Sequence, residues 1–214
     1  MSATGALAHS SWKGRGMILM QGRPDPVAAW AERGLMPVHV VPLQEWTAVL
    51  PAGASHARPP YDDTLKTLAG RPVPSRLRSA IGLFVVDGNA VVSAHAAGRR
   101  ATQRWFVWSP GEGIVQPRQL EPGRPADLVA AAGTRDRAVR RGVRDLLLDV
   151  GGDAHGLLDE LLAVLALPGA ELLDGGNPVA VPGSTVVEPG DQHVARFERI
   201  VSDDARHRAE LEEG

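Results

Sequence analysis

The stretch Ile81–Gln116, IGLFVVDGNAVVSAHAAGRRATQRWFVWSPGEGIVQ, leaves this chain few ways to fold. It opens on an apolar run, Ile81–Val86. Val-Val-Asp-Gly-Asn-Ala-Val-Val then joins two β-branched segments through Asp-Gly, which supplies the positive φ of a tight primed turn. The loop is either Asp87-Gly88 or Gly88-Asn89. A slip of one residue would exchange the faces, so the cross-strand pairs stay open. On the second strand Val91, Ser93 and His95 share one face, and Val92, Ala94 and Ala96 the other. Gly98-Arg99-Arg100 turns the chain. Thr102, Arg104, Phe106 and Trp108 then alternate with Gln103, Trp105 and Val107. Large rings on both faces mean that this strand is covered on both sides or that one face meets a partner. Pro110 ends it, because proline cannot donate to a ladder. Ile114–Gln116 makes a short last strand, and the whole reads as an antiparallel meander of three or four strands.

What the meander packs against follows from length and composition. The chain has 214 residues, 43% of them hydrophobic, enough for one compact domain or two small ones. A net charge of −2 argues against a global polyanion binder. With no cysteine, disulfides, thiolate zinc sites and a cysteine nucleophile are excluded. Lys13 and Lys66 are the only lysines. That arginine bias, with heavy use of Ala, Gly, Pro and Val, is the pattern of a GC-rich coding sequence. Arginine abundance is therefore discounted as a nucleic-acid signal. No apolar stretch approaches the roughly 18 residues of a membrane span, and Met17–Met20 is too short for a signal peptide. The cytoplasm is the expected location.

Before the meander, residues 1–15 are small and polar and are expected to be disordered. Met17–Gln21 predicts a short strand. Pro24-Asp25-Pro26 opens a helix that Asp25 can cap, with Val27, Trp30 and Ala31 as its buried stripe. Met36–Leu43 predicts a strand. Trp46–Leu50 reads as a strand, and a helical turn over Leu43–Val49 competes with it. Asp62 or Asp63 caps a short helix, Thr64–Ala69, and Ser75–Ala80 holds one more helical turn.

After Gln116 the character changes. Residues 118–125 are Pro/Gly-rich and linker-like, which divides the chain into an α+β subdomain (16–117) and a mainly helical one (126–212). Ala126–Ala132 is a short helix. Arg135–Val150 is the cleanest amphipathic helix, with Val139, Val143, Leu146, Leu147 and Val150 on one side. Asp153 caps a further helix reaching about Leu167. Ser184–Glu188 can form a short strand. Asp191 caps a last helix with a docking stripe of Val194, Phe197, Ile200 and Val201; its charged final turns should be solvated. The expected architecture is α+β: an N-terminal mixed or antiparallel sheet with short helices and a central meander, followed by a C-terminal helical portion packed on it.

No motif declares a chemistry. Arg99, Arg100 and Arg104 beside Trp105 and Trp108 suit a protein interface, where Trp and Arg are enriched hot spots. The same residues suit core packing for the rings and solvent for the arginines. Arg137, Arg140, Arg141 and Arg144 could lie along phosphates; a solvated outer helix face explains them equally. Ser93 and His95 lack a nucleophile elbow. Asp153, His155 and Asp159 do not share one helical face, so capping by Asp153 is the better reading and no metal site is expected. His39 reads as a core or edge residue. No cofactor is expected. These features favour a non-enzymatic protein-interaction or accessory module with a protein partner or a second copy. The alternatives are a nucleic-acid binder using the arginine face and a hydrolase whose groups converge only in the fold.

Overall fold

The computed structural model describes residues 16–77, 79–98 and 102–212. Its centre is the meander. β4 (Ala80–Val86) and β5 (Asn89–His95) pair with Val86 opposite Asn89, so the loop is Asp87-Gly88. Both loop residues have positive φ, 51° and 81°, as a primed turn demands. β6 (Arg104–Ser109) and β7 (Gly113–Val115) continue the ribbon antiparallel. β1 (Gly16–Gln21) lies on the other side of β4 and pairs with it and with β3 (Trp46–Pro51). Beyond β3 come β2 (Val38–Leu43) and then β8 (Thr185–Val187), giving eight strands in the order β7-β6-β5-β4-β1-β3-β2-β8. Every pairing between these strands is antiparallel. The fold is α+β.

Two layers of helix cover the sheet. One face carries Met17, Leu19, Ile81, Leu83, Val92, Phe106 and Trp108. Against it pack α3 (Pro125–Ala131), α4 (Arg137–Leu148) and α5 (Ala154–Val164), through Leu128, Val143, Leu147, Leu158 and Leu161. The opposite face carries Ile18, Met20, Val38, Val40, Val49 and Phe84. It is covered by α1 (Pro24–Ala31) and α2 (Thr64–Ala69), which contribute Val27, Trp30 and Leu68. β1 and β3 lie between the two layers, so nearly all their residues are buried and they read as unbroken apolar runs. Burial of each large aliphatic side chain stabilises by about 1.5–3 kcal/mol.

Capping sets most helix ends. Asp63 accepts from the Lys66 N–H at 3.0 Å and starts α2. Asp136 accepts from Ala138 N–H at 2.7 Å and starts α4. Asp153 accepts from the N–H groups of His155 and Gly156, each at 2.9 Å, and starts α5. Three expectations need correction. Asp25 does not cap α1: Arg23 holds the cap position and Pro24 already occupies the first turn, where its missing N–H costs nothing. Val150 lies beyond the end of α4 and is 47% exposed. α5 stops at Val164, and Ala166 takes a positive φ of 51° instead of continuing the helix. The open choice at Trp46 resolves to strand, because Gln44 adopts a φ of 53° and turns β2 back onto β3.

The Pro/Gly passage is tied to the sheet. Trp105 N–H donates to Glu121 O at 2.9 Å, and Gly123 N–H donates to Trp105 O at 2.8 Å. A Cβ on Gly123 would lie 2.3 Å from the buried Phe106 ring, so only glycine lets this strap lie so close.

After α6 (Ala170–Leu173) and β8, the chain ends in α7 (Asp191–Glu212). Among its described residues none is fully buried. No helix among the described residues is long and apolar enough to cross a membrane.

Candidate binding cavity

The C-terminal end of α1 is stitched to the segment after α2 by a tryptophan and an arginine. Trp30 Nε1 donates to Pro72 O at 3.1 Å. The Arg71 guanidinium lies over the Trp30 ring, 3.7 Å from its centroid, a cation–π contact. It also donates to Trp30 O and to Ala31 O, two carbonyls at the α1 C-terminus, where the helix dipole favours a cation. Burial pushes the Arg71 pKa down to about 10, so the group is still a cation at neutral pH. Gly34 makes room for it: a Cβ there would sit 2.5 Å from Arg71 Nη1 and 2.8 Å from Ala31 O.

α7 forms the far wall. Its Phe197 meets Tyr61 edge to face, with centroids 5.0 Å apart at 87°. Arg58 and Glu198 approach to 3.7 Å, and Gly190 N–H donates to Glu32 O at 2.8 Å. Between α1, α2 and this helix lies a cavity of about 510 Å³, inside the size range of ligand sites. Arg33, Lys66, Arg71, His193 and Arg196 line it, with Trp30, Tyr61 and Phe197 as aromatic wall. No aspartate or glutamate among the described residues lines it, on a chain whose net charge is −2. Lys66 is already engaged: Asp87 lies 2.9 Å away, and its hydrogen bond and charge hold the lysine pKa above its ordinary value. Arg33 and Arg196 are exposed and have no ion pair among the described residues. The Thr67 hydroxyl donates to Tyr61 O at 2.9 Å, so it is not presented as a nucleophile. Such a lining is complementary to an anion beside apolar surface.

The residues singled out from sequence lie elsewhere. Arg99 and Arg100 fall outside the described residues. Trp108 is 1% exposed and its Nε1 donates to Asp149 O at 2.8 Å, so its ring belongs to the core. Arg104 is paired with Glu121 at 3.1 Å. Trp105 is half-buried and shares with Arg144, Ile114 and Leu148 a smaller, mostly apolar groove of about 260 Å³. Thus the structure brings Trp105 and Arg144 together and separates both from Trp108. Arg137, Arg140 and Arg141 are exposed along α4, while Arg144 contacts Asp145 at 2.8 Å. Ser93 and His95 are buried on β5 and line neither hollow.

His39 lies on β2 between β3 and β8, and its Nδ1 is buried without a hydrogen-bond partner among the described residues. Burial lowers its pKa from 6.5. The folded state therefore favours the neutral ring. The associated stability is complete above the unfolded pKa and is lost as pH falls through the lowered folded value. His39→Gln should flatten the acid-side decline in melting temperature that begins near pH 6.5. Parallel profiles for the two proteins would contradict this assignment.

The cavity went unseen in sequence because its walls come from three distant segments. One signal existed: His193, Arg196, Phe197 and Ile200 recur at helical spacing, a stripe half basic and half apolar. No protein-family model, no curated protein and no solved structure matches this chain.

Proposed function

We propose that this protein is a non-enzymatic recognition module whose cavity between α1, α2 and α7 holds an anionic group carried on an apolar or aromatic body. The observation that carries this reading is the lining itself: five basic side chains, three aromatic rings and no described acid. Arg33 and Arg196 at the rim supply charge that no described side chain of the chain neutralises. Arg71 is fixed by the α1 carbonyls and presents a preorganised cation, which reduces the ordering cost of binding. Trp30, Tyr61 and Phe197 offer the apolar contact. A free aromatic carboxylate or phosphate and an acidic partner segment with an apolar anchor share this chemistry.

Anilinonaphthalene sulfonate is a suitable probe, since it joins one negative charge to flat apolar rings. Wild-type protein should enhance its fluorescence with saturable affinity that weakens as salt is raised. Reversing both rim charges, Arg33→Glu with Arg196→Glu, should weaken that affinity by roughly tenfold, because each exposed charge contributes about 0.2–1 kcal/mol and reversal turns attraction into repulsion. Competition by benzoate or by a short Asp/Phe peptide then separates the two sources of the anion. Equal affinity for wild type and the double variant, at matched melting temperature, would remove the cavity from consideration.

A further inference from the structure

We infer that the seam between α5 and α6 is a binding site for a borderline divalent cation of the zinc type, with His155, Asp159 and Asp174 as ligands. His155 and Asp159 stand four residues apart on α5 and therefore share one face. The third group does not come from that helix: Asp174 occupies the C-cap of α6 and reaches back across the seam. His155 Nε2 lies 2.5 Å from Asp174 Oδ1 and 3.3 Å from Asp159 Oδ2. One ligand atom from each residue can be chosen so that all three lie within 4.8 Å of one another.

The imidazole makes this more than a pair of neighbouring acids. Its Nδ1 is buried and has no hydrogen-bond partner among the described residues, so Nε2 is the nitrogen that must bond. A bare Nε2 lone pair facing two carboxylate oxygens is repulsive. Either an Nε2–H that donates to a carboxylate or a metal ion has to sit at that point. The N–H of a neutral ring offsets neither carboxylate charge; a divalent cation offsets both. One imidazole nitrogen with two carboxylates matches zinc, which takes three protein ligands and leaves a fourth position to water. Asp174 is 57% exposed, so that open side exists. Calcium and magnesium call for about six oxygen ligands and fit poorly.

The full chain, without an affinity tag, is to be titrated with zinc chloride by calorimetry and with cobalt chloride by visible absorption. Expected are one zinc per chain, a cobalt spectrum of low coordination number, a raised melting temperature reversed by EDTA, and little response to magnesium. His155→Ala and Asp174→Asn should each weaken zinc at least about tenfold, whereas His193→Ala should not. Melting temperatures of the metal-free variants check that they fold. Absence of zinc uptake at the concentrations that load a surface histidine, or uptake unchanged in both ligand variants, would overturn the inference and leave a hydrogen-bonded His–Asp cluster.

Discussion

Replacing Trp108 by alanine is expected to lower stability by about 4 kcal/mol, the range found for large aromatic side chains removed from a packed core. The ring is 1% exposed and packs in the cluster that joins β5 and β6 to the helices α3–α5. Its Nε1 also satisfies Asp149 O at 2.8 Å, just past the end of α4, where Gly111 N–H donates to Val150 O at 3.0 Å as well. The truncation therefore opens a hollow and loosens the attachment of α4 to the ribbon together. For a chain of this size, a loss of that order lowers the melting temperature by about 8–16 °C. Trp108→Phe keeps a six-membered ring and strands the carbonyl, so its smaller loss, about 1–2 kcal/mol, combines the lost hydrogen bond with a smaller void. Thermal melts by circular dichroism measure both. An alanine variant within about 1 kcal/mol of wild type is incompatible with this packing.

Arg71→Ala should have the second-largest effect, about 3 kcal/mol. It removes the cation over Trp30 and the donors to Trp30 O and Ala31 O. Unmet carbonyls cost about 1–3 kcal/mol and the cation–π contact adds about 0.5–2 kcal/mol. Lysine should recover little, since an ammonium is a point charge and cannot reach two carbonyls while stacking on the ring. Binding of anilinonaphthalene sulfonate should fall too, because the buried cation and the shape of the Trp30 wall go together. Urea unfolding with the dye titration alongside reads both. A variant that loses stability yet binds the dye as wild type does would assign Arg71 to the α1 terminus alone.

Local chemistry made several elements legible before any coordinates. Asp-Gly announced the central turn to within one residue, and Asp62 or Asp63 and Asp153 announced two helix starts, because each acts on backbone groups within three residues. The α+β class followed from the ribbon and the periodic helices after it. Long-range pairing was not legible. Nothing in Met17–Gln21 says that it inserts between β3 and β4, since a run buried on both faces carries no alternation. The cap of α1 was misplaced because Asp25 and Pro24 are both plausible openers and proline's fixed φ prevailed. Functional groups suffered most. His155 was weighed in sequence together with Asp153 and Asp159 and set aside as a ligand, whereas Asp174 of the next helix lies 2.5 Å from its Nε2. Trp30, Arg71 and Phe197 line one cavity only because three segments distant in sequence pack around it.

β8 has a consequence for biosynthesis. The outer flank of β2, Val38 to Val40, is sealed by Thr185–Val187 and by no other strand among the described residues. β2 is synthesised well before β8, so its outer flank has no such seal until Thr185–Val187 has emerged. Unsealed flanks recruit foreign strands. A protease nick in the turn-rich run around Gly175-Gly176 would threaten the finished protein with the same vulnerability, and a chaperone that shields extended segments would serve this chain chiefly in that interval.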